Sequence, residues 1–317
     1  KKINEMENDE SQSQSKSIKK SSLSDYQTKT IGLSHGLGFD TATRFFRQEM
    51  SLTPLFCSSC RRVRVSRTRE CVFNLFTDFI GLQFKSKSYK IPINDITRVF
   101  LRDPLHLPCG IEIFTRQGIS YFLVFPEEIK NTDVAAAIAH QSTSPQLRSF
   151  IQTVKSADFF ASHGITQLWC QRKISNFEYL MQLNHYSGRS FSQLSMYPFL
   201  PWVLSDYESD TLNLDDSSSF RDLSMPVGKL GLKRLESLRK RAREMSEFGN
   251  DPFLYSSYAV SPLIVILWMM RVEPFTTLHI DMQSGKFDHA SRQFSSIPDT
   301  FRMVNTHLND FRELIPE

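Results

Sequence analysis

The segment His279-Ile-Asp281-Met-Gln-Ser-Gly-Lys-Phe-Asp288-His289 gathers two imidazoles and two carboxylates within eleven residues. A zinc-type centre recruits three or four such donors. On a strand, alternation would set His279 and Asp281 on one face, which keeps a metal-dependent hydrolase in view. The plainer reading is a solvated hairpin turning at Ser284-Gly285, with Asp288 capping a turn or a helix start. Ser190, in GRSFS, lacks the second glycine of a nucleophile elbow. Cys57-Ser-Ser-Cys60 is half a zinc site, and no second CxxC or HxxxH follows it. Walker and dinucleotide-binding glycine loops are absent. The sequence therefore assigns no catalytic, metal or cofactor-binding residue, calls for no cofactor, and reads as a non-enzyme.

These segments need a scaffold, and the chain is long enough to build one. Its 317 residues can bury a sizeable core, and 26 Phe against 12 Gly give that core large apolar side chains. A net charge of +4 is too small to imply nucleic acid. The longest apolar run, AVSPLIVILWMM from Ala259 to Met270, falls short of the ~20 residues of a membrane-spanning helix and reads as a buried helix. No secretory signal opens the chain, whose first residue is Lys1, so a piece of a longer protein is expected. Five cysteines (Cys57, Cys60, Cys71, Cys109 and Cys170) make an odd set and point to a reducing compartment.

Residues 1–50 are Ser-, Lys- and Glu-rich at the start, have no periodic apolar face before Phe45, and read as a disordered tail. From residue 54 the character changes. CRRVRVSR (60–67), CVFNLF (71–76), GLQFKSKSYKIPI (81–93), TRVFLR (97–102), GIEIFTR (110–116) and ISYFLVF (119–125) predict short antiparallel strands in a sheet or small barrel. Gln117-Gly118 reads as a hairpin connection. A helix is expected over Glu127–His140. A second opens at Ser144-Pro145 with Leu147, Phe150, Ile151 and Val154 on one stripe. Further on, FEYLMQL (177–183), 228–247 and Pro262–Arg271 read as helices. YPFLPWVLSDY (197–207), with two prolines, reads as extended.

Two polar features stand out from this frame. Between residues 57 and 102 there are ten Lys/Arg against three Asp/Glu, and Arg62, Arg64 and Arg67 belong to one basic strand. Alternation turns Arg62 and Arg64 away from Val63 and Val65. Such a face could meet anionic headgroups, though an ordinary wet sheet face is the simpler reading. The basic run over 233–243 reads as a solvated helix face. Elsewhere Asn176, Asn184, Arg189, Arg221 and Asp222 sit among large apolar residues. If buried they must be paired, because a lone charge in a core is very costly. A segment without regular ladders must satisfy its backbone through side chains of this kind, so 174–202 reads as irregular core.

The blocks ISNFEYLMQLNHYSGRSFSQLSMYPFLPWVLSDYES, FRDLSMPVGKL, RVEPFTTLHIDMQSGKFDHASRQFSSI and ELIPE, in that order and spacing, resemble the BEACH (Beige/Chediak–Higashi) domain family over about 150 residues. SYKIPINDITRVFLR, GIEIFTR and YFLVF resemble, more loosely, the PH-like domain that accompanies it. The resemblance implies an α+β fold: a PH-like antiparallel β-barrel or sandwich with a C-terminal helix, packed on a BEACH domain of irregular core segments and helices. The expected layout is a tail over 1–50, a PH-like domain over 51–143, a linker over 144–168 and the N-terminal half of a BEACH domain over 169–317. The native protein is expected to continue into the remainder and a WD40 propeller. The chain departs from the family at Phe253-Leu-Tyr-Ser-Ser-Tyr258, where relatives carry an aromatic-Tyr-Gly-Thr-His-Tyr pattern, and at Gln193.

What the resemblance implies about function is a scaffold without enzymatic activity. It would be cytoplasmic and peripherally associated with membranes, and would bind other proteins of the trafficking machinery and no nucleic acid. The settings implied are vesicle traffic, lysosome-related organelles, autophagy or receptor sorting. Asn176, Arg189, Tyr197, Trp202, Arg221 and Asp222 are the residues expected to structure the core or the PH–BEACH interface. Arg62, Arg64 and Arg67 are those expected at an anionic surface.

Overall fold

The computed structural model describes residues 53–317 apart from 153–155, 226, 228–231, 254–260, 291–292, 308–309 and 311. The tail expected over 1–50, Val154 of the expected helical stripe, and most of the departure at Phe253–Tyr258 lie outside the described residues.

Seven antiparallel strands follow one another: β1 (Phe56–Arg64), β2 (Arg67–Leu75), β3 (Phe79–Gln83), β4 (Ser88–Pro92), β5 (Ile96–Arg102), β6 (Gly110–Thr115) and β7 (Ser120–Val124). Their order in the sheet is β4-β3-β2-β1-β7-β6-β5. The long β1 therefore joins two meanders, pairing with β2 along its whole length and with β7 at Arg61–Val63. The stretch expected as one strand over 81–93 is two, folded back where Phe84 N–H donates to the Lys87 carbonyl. Gly118, at φ 74°, makes the β6–β7 turn where a left-handed residue is needed.

Alternating apolar residues from both ends of the sheet converge on one core. Ile91 of β4 and Val99 of β5 share it with Phe73, Leu82, Ile111, Ile113 and Leu123, so the sheet curls around a single interior. Helix α1 (Asn131–Gln141) closes it with Val134, Ala135 and Ile138. The helix expected at Ser144-Pro145 is short, α2 (Pro145–Ser149). Ile151 then bridges in parallel to Val99 while Phe150 stays exposed, so the expected stripe does not form.

Helices α3 (Ser156–Ser162), α4 (Ile165–Cys170) and α5 (Asn176–Tyr186) come next. Ser175 and Glu178 form a reciprocal capping box that starts α5. The described part of the chain from Ser187 to the next helix has only single turns and isolated bridges, Leu200–Leu314 and Leu204–Phe220. The irregular core expected over 174–202 therefore begins only at Ser187, its first part being α5 instead. Helices α6 (Leu232–Glu247), α7 (Pro262–Met269), α8 (Phe275–Met282) and α9 (Ile297–Thr306) complete the described elements.

Candidate functional site

Arg102 ends β5, and Glu112 lies on β6 opposite Phe100, so the two side chains share one face of the sheet. Arg102 Nε donates to Glu112 Oε2 at 2.9 Å and Nη2 lies 2.8 Å from the same oxygen, with the side chains only 2% and 1% exposed. The remaining atoms reach across a seam. Ser190 Oγ donates to Glu112 Oε1 at 2.7 Å, and Arg102 Nη1 donates to the His185 carbonyl at 2.8 Å. Asn131, at the start of α1, donates to the Arg102 carbonyl and to Asp103 Oδ1. One buried ion pair thus fastens the sheet, α1, the end of α5 and the irregular segment beyond it.

Burial pulls the Arg102 guanidinium below its usual range, and Glu112 pushes it back. A pair this dry holds only when further hydrogen bonds support it, and Ser190 and the His185 carbonyl supply one to each partner. Gly110, opposite Arg102, is required by the close approach: a Cβ there would meet the Arg102 carbonyl at 2.8 Å.

Aromatic packing surrounds the pair. The Phe100 ring stacks on His185 at 5.7 Å and meets Tyr186 edge-on at 5.3 Å, and Phe114 and Phe159 flank it. Burial first, then the charges of Arg102 and Arg98, lower the His185 pKa to about 4. The ring is neutral at pH 7. Further along the seam, Val65 beyond β1 packs into the apolar cluster of Tyr197, Val265, Ile266 and Phe275.

A second buried arginine organises the far side. Arg221 is paired with Glu313, 3.3 Å away and 92 residues on, and donates to the carbonyls of Trp202 and Met225. Glu313 also accepts the Trp202 N–H, while the Trp202 indole donates to the Arg312 carbonyl at 2.7 Å. Trp202 is fully buried among Tyr207, Trp268, Phe301 and Val304. Asp222 is outside this network: it is exposed and caps a turn at Ser224. Its neighbour Arg221 finds its carboxylate far away in sequence instead.

Arg189 is half-buried, donates to the Tyr197 carbonyl and lies 4.5 Å over the Phe199 ring. Tyr197 is buried and its hydroxyl donates to Glu317. Asn176 is exposed on the first turn of α5 and accepts from the Trp169 indole, so it takes no part in the core. Asn184 has the role that composition suggested, pairing with both the N–H and the carbonyl of Phe199 as a strand would.

Arg62 differs from expectation: it is 6% exposed and stacked on Tyr121, while Arg64 and Arg67 are exposed. Both faces of β1 are covered at this point, because Val63 packs on Phe122 and Val124 behind it. Arg234, expected on the solvent face of α6, turns inward and donates to the carbonyls of Val304 and Asp310.

The first four residues of HIDMQSGKFDH, His279–Met282, are helical where a strand was expected, and the turn at Ser284-Gly285 follows them. In α8, His279 is fully buried and its Nε2 accepts the Asp288 N–H, while Asp281 and His289 face solvent. Two residues are more than half a helical turn apart, so these side chains diverge. Among the described residues no group of three His, Cys, Asp or Glu is placed to hold a metal. Ser190, also fully buried, spends its hydroxyl proton on Glu112.

Sequence reasoning missed Arg102, Glu112, Ser190 and Glu313. A signal was present for the first two, since each is a charge within an otherwise apolar strand. Nothing local marks their partners.

The described architecture is a curled antiparallel sheet fastened to an irregular helical region through hydrogen bonds from one buried ion pair, the build of a rigid module. The chain carries a domain of the BEACH family: residues 167–317 match the Beige/BEACH domain model. BEACH domain-containing protein B of Arabidopsis thaliana is 46% identical over 149 residues, 47% of this chain and 6% of that protein. BEACH domain-containing protein lvsE of Dictyostelium discoideum is 40% identical over 248 residues, 76% of this chain and 11% of that protein. A neurobeachin homolog of Caenorhabditis elegans is 34% identical over 235 residues, 71% of this chain and 9% of that protein. The last two matches extend beyond the BEACH residues into the sheet. The chain spans about a tenth of the length of these relatives or less. No helix among the described residues is long and apolar enough to cross a membrane.

Proposed function

We propose that this chain is the PH-like–BEACH interaction module of a large, non-enzymatic scaffold in vesicle and membrane trafficking. Its domains would run over 51–143 and 169–317, joined by 144–168. The observation that carries this reading is the seam itself. Glu112, Arg102, Ser190 and His185 make the sheet and the BEACH segment one body, which can present a composite surface to a protein partner. Glu112, Ser190 and the His185 carbonyl are each engaged by a partner across or beside the seam. The names of the relatives support the family-level role; service to lysosome-related organelles, autophagy or receptor sorting extends it to the settings in which such a scaffold would act. The module would work in the cytoplasm, held at membranes by its partners.

Proximity labelling from the native protein tests this, comparing wild type with a Glu112→Gln/Ser190→Ala variant that loosens the seam. Recovery of trafficking proteins that the variant loses supports the reading. Labelling that is indifferent to the seam, or devoid of trafficking proteins, sinks it.

A further inference from the structure

Cys57-Ser-Ser-Cys60 is divided between the two faces of β1. Alternation turns Cys57 out to solvent and Cys60 into the core. The thiol that Cys60 does meet lies on the next strand. The β1–β2 register sets Cys60 opposite Cys71, and their Sγ atoms are 3.4 Å apart. Directly opposed residues of an antiparallel pair hold their Cα atoms about 4.5–5.5 Å apart, inside the about 4.4–6.8 Å that a disulfide spans. A sulfur–sulfur bond of about 2.05 Å is therefore within reach of side-chain rotation, with the backbone left in place. A single buried cysteine serves as a small apolar residue. Two that face each other at this distance are a dithiol.

The pair lies just inside an open end of the curled sheet. Cys60 and Cys71 are each 4% exposed and share the core with Phe84 and Tyr121. Next along the same face of β1 is Arg62, which stacks on Tyr121 and, with Phe84 and Tyr89, lines a solvent-open cleft. The sulfurs are thus one residue pair below an opening, with the Arg62 side chain over them. Arg62 also makes the two thiols unequal. The hydrogen bond with Cys60, and then the backbone and charge of Arg62, hold the Cys71 thiol below its usual range, against burial. The bond to Cys71 and burial push the Cys60 thiol up. A thiolate beside a cation is the form that attacks an oxidant.

We propose that Cys60 and Cys71 are a reversible redox latch, a dithiol that a small peroxide closes into a disulfide across β1 and β2. The Cys71 thiolate attacks one peroxide oxygen, so that an S–O bond forms, the O–O bond breaks and the other oxygen takes up a proton and leaves as water. Cys60 then attacks the Cys71 sulfenic sulfur. The S–S bond forms, the S–O bond breaks, and a second water carries off the Cys60 proton. Two thiols are oxidised to one disulfide while one peroxide is reduced to two waters. Two equivalents of a small-molecule thiol reopen the bond by exchange and leave as their own disulfide. The latch closes off Arg61–Glu70, the end of the hairpin whose Val65 packs on Tyr197 and Phe275 across the seam. Oxidation therefore stiffens the part of the sheet that touches the BEACH segment. The proposal does not rest on the scaffold reading above.

The test uses the full chain carrying Cys57→Ser/Cys170→Ser, which removes the two exposed thiols and leaves Cys60, Cys71 and Cys109, all buried. The folded protein is treated with hydrogen peroxide, quenched, and its thiols counted in denaturant. The expected result is a fall from these three thiols to one, a mass lower by two hydrogens and a cross-linked Cys60–Cys71 peptide, all reversed by dithiothreitol. Adding Cys60→Ala should strand Cys71 as a sulfenic acid that dimedone captures, with circular dichroism unchanged. In the oxidised protein, amide exchange over residues 61–70 should slow at least about tenfold. The proposal is overturned if all three thiols survive in the folded protein, if the disulfide appears only after denaturation, or if it joins Cys109 to either sulfur. Hairpin exchange left unchanged by oxidation would overturn it as well.

Discussion

Ser190 donates its hydroxyl proton to Glu112 at 2.7 Å across 78 residues of chain, and both residues are sealed from water. The bond is a tie between two regions that have no covalent reason to stay together. It occupies the one Glu112 oxygen that Arg102 leaves free.

Removing the carboxylate should therefore cost more than removing the tie. Glu112→Ala strands a buried guanidinium and is expected to destabilise the protein by about 3–5 kcal/mol. Ser190→Ala leaves the ion pair in place with one oxygen unsatisfied and is expected to cost about 2 kcal/mol. Urea denaturation of both variants checks the order. Equal losses, or a larger loss for Ser190→Ala, would contradict the arrangement.

His185 gives the seam a pH dependence. Its folded pKa, about 4, is depressed below the ordinary histidine value by burial and by Arg102 and Arg98. The folded state binds this proton less readily than the unfolded chain, so the contribution is fully present above pH ~6.5 and is lost as pH falls from there to about 4. Over that window wild type should lose about 3 kcal/mol that a non-titrating His185→Gln variant does not lose. Unfolding free energies of both proteins at pH 7 and pH 4 isolate the difference, since other groups titrate in common. Parallel pH profiles would show that His185 is not held neutral.

The sheet was legible because its signals are local. Val, Ile and Phe at period two in TRVFLR and GIEIF, and Gly118 at a turn, act over a few residues. The irregular region was legible only as composition. That 187–202 would lack ladders followed from its prolines, aromatics and scattered amides, but the pairing of Arg221 with Glu313 spans 92 residues and leaves no local trace. Asp222, expected with Arg221 in the core or interface, is exposed instead. The HIDM segment was misread because four residues fit either period. Its helix is set by the preceding turn and by Phe275 and His279 burying together, one helical turn apart.

That helical geometry makes a prediction about metals. His279 is buried while Asp281 and His289 face water, so they cannot converge on an ion. Dialysis against a chelator is expected to leave the melting temperature unchanged, and elemental analysis of the purified protein should find no stoichiometric zinc. One equivalent of tightly held metal, lost in a His279→Ala variant, would reverse this.

The second ion pair separates a structural arginine from its decoy. Arg221 is enclosed with Glu313, against the backbone of Trp202, and burial raises the Glu313 pKa while Arg221 opposes the rise. Arg221→Glu would put two carboxylates in that enclosure and is expected to abolish cooperative folding. Arg221→Met removes the charge more gently but leaves Glu313 unpaired, and should cost about 3–5 kcal/mol. Adding Glu313→Leu to Arg221→Met removes the stranded carboxylate and should recover much of that loss, a coupling visible in a double-mutant cycle. Asp222→Ala, one residue away, caps only an exposed turn and should leave the melting temperature within error of wild type. If Asp222→Ala proved as damaging as Arg221→Met, or if the double variant were worse than the sum of its parts, the pairing of Arg221 with Glu313 would not be what holds Trp202 in its enclosure.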